Sequence, residues 1–461
     1  MFDELIVSGG DERLDLDADG RNRYHVDPRS STTALHRGSC TNSPLTDTGR
    51  SAATVAHRQL LDGDLGYDEW CAQQRRRLLD VFVPGEHRRA GVFFAPSGSD
   101  LCYLPLLMAS LWSGSTRLRN VVTTSEELGS GSLAAHDGRF YAARSQLGET
   151  PSSAAINTEL DVEPIYLSAR EHDGSVVDHG RRIESIITQR TDDRVLVINL
   201  VIGSKSGIEN GIDIVERFSH ADVVWTVDLC QMRVRPDLVE RLLDLGCLLF
   251  TTGSKFYQAP PFCGAMLIPD VWLDRISTIG PASLSGFDRL FSAQDVPREW
   301  PTLRALLPSF ENVGLRLRWE AALAEIEAFD AVPDPASAAV MDRWNRTVVD
   351  RIDASPRLEL LRDQEHTNDS IVSFRARSAE GAFLDRAGLA EIHRRLAVVP
   401  SPEIAPFDRA FIGQPVSYES GSFLRFAIGS RDVRRWVASG FDRTADRGLI
   451  AATERIAGDL S

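Results

Sequence analysis

The apolar residues of this chain gather in short uninterrupted runs, and those runs constrain the fold more than any other feature of the sequence. Val92-Phe93-Phe94-Ala95, Val121-Val122-Thr123-Thr124, Val195 to Ile202, Val223 to Val227, Leu248 to Thr251 and Ala265 to Ile268 have the length and β-branched character of strands. Several are continuous rather than alternating, the pattern of strands buried on both faces of a parallel sheet. Helical spacing separates them, over Ala52 to Val83, Leu101 to Trp112 and Pro236 to Leu245. The expected fold class is α/β, a mostly parallel sheet with helices on both faces. Past Asp295 the pattern changes. Asn312 to Phe329 sets Leu315, Trp319, Ala322, Leu323 and Ile326 on one helical face, a long helix leading to a smaller C-terminal α/β domain. There Ile371 to Phe374 and Phe423 to Ile428 read as strands, and Leu389 to Leu396 as a helix. The polar, weakly periodic start reads as an irregular arm. The expected organisation is thus an arm over 1–50, a large domain over 51–310, and an interdomain helix with a small domain over 311–461.

The chain is 461 residues long, 43% hydrophobic and 25% charged, enough for a large core. Its net charge of −15 argues against a nucleic-acid or anionic-membrane surface and for a small-molecule partner. Nothing approaches the roughly 20 apolar residues a bilayer requires, and the start is acidic where a signal peptide would be basic, so a cytoplasmic location is expected. Six cysteines, Cys40, Cys71, Cys102, Cys230, Cys247 and Cys263, show no CxxC spacing. They suggest reduced core thiols rather than disulfides or a metal site.

Among 51 Lys and Arg residues only Lys205 and Lys255 are lysines. A chain that writes almost every cation as Arg keeps Lys where Arg cannot substitute, and only an amine forms an imine. Chance survival is the bland alternative, and the surroundings decide between the two.

In an open parallel sheet, ligands bind beyond the carboxyl ends of the strands. After Val92 to Ala95 come Ser97-Gly98-Ser99-Asp100 and a helix, which suit a phosphate or simply cap the helix. Past Val223 to Val227 comes Asp228, then Cys230 and Gln231. That carboxylate fits a pyridinium N–H, or equally an N-cap or structural ion pair. Beyond Leu248 to Thr251 comes Thr252-Gly253-Ser254-Lys255, with a solvated loop lysine as the alternative.

Phosphate cup, then Asp, then Lys is the order found in fold-type I pyridoxal-phosphate (PLP) enzymes, and the chain resembles their class V aminotransferase and cysteine desulfurase branch. Val227-Asp228-Leu229-Cys230-Gln231 looks like the branch's Asp-x-x-Gln element. Thr252-Gly253-Ser254-Lys255, followed by Pro260 to Ala265, looks like its lysine loop and Gly-led strand. The resemblance implies that Lys255 carries pyridoxal 5'-phosphate as a Schiff base and moves the Cα proton. Asp228 would hold the ring nitrogen protonated and Gln231 would bond the phenolic oxygen, while Ser97, Gly98, Ser99 and Thr252 bind the phosphate. Arg425 aligns with the residue that clamps a substrate carboxylate. A homodimer is implied as well, with the arm from Ser30 to Thr48 and the loop Pro281 to Arg298 as segments a partner would order.

This sequence also departs from the branch. Ser254 stands where His commonly precedes the lysine, and Ser125 to Gly131 offers no aromatic to stack on the ring, leaving Leu128, a Glu, or an aromatic from elsewhere. Glu126 and Glu127 are acid/base candidates or a solvated pair. Lys205 faces the same sheet edge and either touches substrate or is solvated. Gly38-Ser39-Cys40-Thr41 could enter the pocket. No cysteine follows Cys263, which disfavours desulfuration through a persulfide. The expected function is a lyase on a bulky amino acid, by β-elimination with C–S cleavage included. The alternatives are transamination, decarboxylation coupled to oxidative deamination, and a non-enzymatic binding subunit on the same fold.

Overall fold

A computed structural model describes residues 1–29, 33–38, 42–85, 90–276, 284–361 and 369–460. Strand β1 (Leu35–Arg37) lies in the N-terminal arm, followed by β2 (Ala90–Ala95) and β3 (Arg117–Val122). A short hairpin, β4 (Arg144–Ser145) and β5 (Gly148–Glu149), precedes β6 (Asp161–Tyr166), β7 (Val195–Val201), β8 (Val223–Asp228), β9 (Leu248–Thr252) and β10 (Gly264–Pro269). The C-terminal part adds β11 (Leu358–Leu360), β12 (Ile371–Ala376), β13 (Ala410–Tyr418) and β14 (Gly421–Ala427).

The large sheet runs β2-β10-β9-β8-β7-β3-β6, with β10 antiparallel to both neighbours and the other pairs parallel. Successive side chains of its strands enter opposite cores. Leu196, Ile198 and Leu200 of β7 join one cluster with Phe94, Trp225 and Trp319, while Val195 and Val197 join Phe93, Val224 and Phe250 in another. Both faces are covered, which is why the strands read as continuous apolar runs. Edge strand β6 escaped sequence reading because it is largely solvent-facing and carries Pro164.

The run Ala52 to Val83 is two helices, Asp47–Asp62 and Tyr67–Phe82, broken at Gly63, whose φ of 78° caps the first. Likewise Leu101 to Trp112 divides into Gly98–Leu101 and Leu104–Ser113. The expected long helix is Val313–Asp330, started by the Asn312 side chain accepting from Leu315 N–H at 2.9 Å. It is buried nearly all round and packs on the two helices before β2. Helices Asp334–Asp353, Arg386–Val398, Ser430–Ser439 and Thr444–Gly458 accompany the C-terminal strands.

The arm is more ordered than its composition suggests. Helix Phe2–Leu5 and a 3-10 turn at Glu12–Leu14 lead the arm, and β1 pairs in parallel with β13, so the smaller sheet runs β1-β13-β14-β12-β11. Arg318 on the long helix holds the arm's Ile6 and Ser8 carbonyls at 2.9 and 2.6 Å, and Asn312 holds that of Gly9 at 2.8 Å. A Cβ on Gly314 would meet the Leu5 and Ser8 carbonyl oxygens at 2.4 and 2.5 Å, so glycine admits this close approach. Among the described residues, no helix is long and apolar enough to cross a membrane.

Candidate active site

The carboxyl ends of β2, β8 and β9 point to one edge of the large sheet, and the residues after them line one cleft. Ser97, Gly98, Ser99, Asp228, Thr252, Ser254 and Lys255 all border it. Asp228 Oδ1 accepts from Cys230 N–H at 2.7 Å, and the Thr252 hydroxyl donates to the Cys230 carbonyl at 2.8 Å, fastening the ends of β8 and β9 together. Burial, then the Asp228 charge, pushes the Cys230 thiol far up, while Lys255 pulls it down, so carboxylate and amine act on one spot. Gly264 opens β10 directly under the cup; a Cβ there would lie 2.7 Å from the Ser97 carbonyl oxygen. Non-glycine residues with left-handed backbone cluster on the framing loops: Thr124, Met232, Gln258 and Phe262.

The cup is crossed by a residue that sequence reading did not select. Arg13, buried, donates through Nη1 to Ser99 Oγ at 3.1 Å and to the Ser130 carbonyl at 2.9 Å, and through Nη2 to Ser97 Oγ and the Tyr141 hydroxyl at 3.0 Å each. Asp11 grips the far side of the guanidinium, from Nε at 2.8 Å and Nη2 at 2.7 Å. Burial opposes ionisation of Asp11, yet Arg13 holds it below the usual carboxylate range. Asp100 accepts from Ser97 Oγ at 2.6 Å and from Tyr141 at 2.8 Å. Its burial, with the Asp11 charge adding, raises it to about 6.

Lys205 lines the same cleft, so both lysines of the chain converge on it. Its Nζ donates to the Leu128 carbonyl at 2.7 Å. Neither Glu126 nor Glu127 borders the cleft. Glu127 is buried and accepts from the N–H and hydroxyl of Ser206, and Glu126 accepts from Ala169 N–H at 2.9 Å, so both carboxylates serve loop structure. The aromatic side chains at the cleft come from elsewhere, Tyr24 from the arm and Phe262 from the loop after Lys255.

Gln231 is buried beside the cleft-lining Cys230 and is not itself on the wall. Arg425, fully buried on β14, donates to the Gln414 carbonyl at 2.9 Å, and Gln414 rather than Arg425 reaches the cleft. Gln414 sits where the β13–β14 register shifts between Gly413 and Val416, beside Pro415, and nothing in the sequence marked a strand there. Gly38 is described but Ser39, Cys40 and Thr41 lie outside the described residues; the other five cysteines are buried free thiols.

No protein-family model matches the sequence, and no curated protein is similar to it in sequence. Solved structures match in fold. The cysteine desulfurase CsdA from Escherichia coli is 11% identical, with a TM-score of 0.58 over 93% of this chain and 96% of its own. A phosphoserine aminotransferase from Cytophaga hutchinsonii is 10% identical, with a TM-score of 0.54 over 88% and 98%. The glutamate decarboxylase domain of a diaminobutyrate-pyruvate transaminase and decarboxylase from Vibrio parahaemolyticus is 16% identical, with a TM-score of 0.53 over 93% and 81%. The chain has the fold-type I architecture shared by these structures.

Proposed function

We propose that this chain is a pyridoxal 5'-phosphate-dependent enzyme acting on an α-amino acid. The observation that carries the reading is the convergence of Lys255, Asp228 and the Ser97–Ser99 turn in one cleft, from three separate strand ends. The donor set suits the cofactor: hydroxyls and a guanidinium at one end, an amine and a strand-end carboxylate at the other. A Cβ on Gly98 would meet Thr252 Cγ2 at 3.3 Å and Cys230 Sγ at 3.5 Å, so the turn packs tightly behind the cradle. Bound there, the cofactor supplies an electron sink for charge developing at the substrate Cα. Lys255 is assigned the covalent attachment and the proton at Cα, Asp228 the ring N–H, and Ser97, Gly98, Ser99 and Thr252 the phosphate; Gln231, expected at the phenolic oxygen, lies behind the wall and would have to turn into the cleft to reach it. Lys205 lines the cleft and is the first choice for an anionic group of the substrate; Arg425, behind Gln414, is the second.

Within that class the reading is a lyase that eliminates a β-substituent from a bulky amino acid, with Tyr24 and Phe262 as the apolar walls. Desulfuration through a protein persulfide is not supported. Among the described residues the cysteine that borders the cleft is Cys230, and its thiol is pushed far up by burial and by Asp228, the wrong direction for a nucleophilic thiolate. The fold and the resemblance also favour a cytoplasmic homodimer, which light scattering tests: a mass near the 50.9 kDa of one chain, in active cofactor-loaded protein, overturns it.

Borohydride reduction followed by peptide mass spectrometry tests the central assignment. A pyridoxyl group on Lys255 supports it, and a label on Lys205 or none refutes it. Scoring ammonia, pyruvate, carbon dioxide and keto acid from candidate amino acids then separates elimination from transamination and decarboxylation.

A further inference from the structure

The hydroxyls of the cup are already committed. Ser97 Oγ donates to Asp100 at 2.6 Å, Ser99 Oγ to the Ser130 carbonyl at 3.1 Å, and Thr252 Oγ1 to the Cys230 carbonyl at 2.8 Å. To donate to a phosphate dianion these hydroxyls must turn their protons away from Asp100 and the carbonyls, so they supply neither charge nor donors that already face it. The group on that wall with N–H donors and a full positive charge is the Arg13 guanidinium. Its bonds to Ser97 Oγ and Ser99 Oγ are to neutral acceptors, which an anion would replace with shorter, charge-assisted bonds. Its bonds to Asp11 use the Nε–Nη2 edge, which leaves Nη1 and the second hydrogen of Nη2, on the Ser97 and Ser99 side, for an anion.

We propose that Arg13, delivered by the N-terminal arm, is the cationic ligand of a phosphate monoester bound between Ser97 and Ser99. The inference rests on the reading of this cleft as a pyridoxal-phosphate site and adds to it a ligand from outside the sheet. The position of Arg13 is fixed by packing. Its guanidinium carbon lies 4.6 Å from the Phe262 ring centroid and 4.9 Å from that of Tyr141, and Asp11 grips its far edge. Arg318 ties the segment just before it, through Ile6 and Ser8, to the carbonyl of Phe262 on the lysine loop, at 2.7 Å for the latter. A side chain held this way is preorganised for an anion and loses little freedom on binding one.

The test titrates cofactor-free protein with pyridoxal 5'-phosphate, pyridoxal and inorganic phosphate, following absorbance for the first two and thermal stabilisation for the third. Arg13→Gln is expected to weaken pyridoxal 5'-phosphate about 10- to 100-fold while changing pyridoxal less than about twofold, and to abolish stabilisation by inorganic phosphate. Arg13→Lys should restore part of the loss. Equal losses for both aldehydes would mean that Arg13 only shapes the cleft, and tighter binding of the phosphorylated form would mean that it blocks the cup; either overturns the proposal. If wild-type protein binds neither aldehyde, the cofactor reading fails while the phosphate titration still decides the role of Arg13. Should Arg13→Gln not fold, a wild-type crystal soaked in inorganic phosphate serves instead. Phosphate oxygen within hydrogen-bond reach of the guanidinium supports the assignment; an anion elsewhere, or none, refutes it.

Discussion

Ser206 donates both its backbone N–H, at 2.6 Å, and its hydroxyl, at 2.7 Å, to the buried carboxylate of Glu127. Tyr418, at the end of β13, donates to the same carboxylate. Three elements meet there, and Lys205 is seated one residue away. Glu127→Ala, which strands these donors in a buried site, should lower stability by about 1–3 kcal/mol in denaturant titration. It should also raise KM through the loosened Lys205 loop. Glu127→Gln retains an acceptor and should leave the pH profile of turnover unchanged; a lost acid or base limb would return Glu127 to the list of acid/base groups.

Lys205 and Arg425 divide on the same measurement. Lys205→Met should raise KM about tenfold or more with kcat changed less, because the amine lines the cleft and, on the proposed reading, would bind ground and transition states alike. Arg425→Met should instead act first on stability, since its guanidinium is buried against the Gly413–Gln414 backbone. The reverse ranking in steady-state kinetics and thermal melts would make Arg425 the direct substrate ligand.

Asp100 gives the cup a pH signature. Its folded pKa of about 6 lies above the ordinary carboxylate value, so between roughly pH 4 and 6 the folded chain holds a proton that the unfolded chain has released. Its contribution to stability therefore falls as pH rises through that window, and the full penalty persists above it. Asp100→Asn should stabilise the protein at pH 8 by on the order of 1–3 kcal/mol, with the gain vanishing near pH 4. Buried His36 and His136, both pushed down to about 3 by desolvation, work in the opposite direction. They favour the folded state fully above about pH 6.5 and lose that contribution on acidification. Denaturant titrations of wild type and variant across this range check the sign, and a difference that does not change with pH would refute it.

Gly264→Ala tests the seam between the lysine sheet and the cup. The added methyl would press on the Ser97 carbonyl, which is backbone and cannot swing aside. A cost of about 1–3 kcal/mol in stability is expected. Weaker binding of pyridoxal 5'-phosphate should accompany it, and unchanged affinity would show that the cup tolerates displacement of Ser97.

The large sheet was legible because strands buried on both faces leave uninterrupted apolar runs, and Ser97, Asp228 and Lys255 lie directly after three of them. Where burial is one-sided or the ladder irregular, that signal disappears. Strand β6 faces solvent, and β13 carries Pro415 at a register shift, so Gln414 had no strand to be read from. Arg13 and Tyr24 were invisible for a different reason. Their roles come from tertiary contacts of a polar arm whose periodicity resembles a loop, and an Asp-x-Arg spacing in a chain with 49 arginines carries no information by itself. Arg425 was placed correctly in a C-terminal strand, but strand position alone does not say whether its guanidinium reaches the cleft or stops behind Gln414.

The pairing of β1 with β13 also has a meaning in time. Arg37, at the end of β1, is fully buried and bound by Asp446 at 2.6 Å, and the two residues stand 409 positions apart in the chain. Asp432 completes its neutralisation at 2.9 Å. During synthesis on the ribosome, the strand that carries Arg37 thus emerges 409 residues ahead of Asp446 and must wait for its counter-charges. Until then it is an unpaired strand with an unpartnered cation, dependent on contacts of very long range for its final seat. Loss of the helix Thr444–Gly458 would therefore be felt far away in sequence, at β1, where Arg37 would be left in the interior without Asp446.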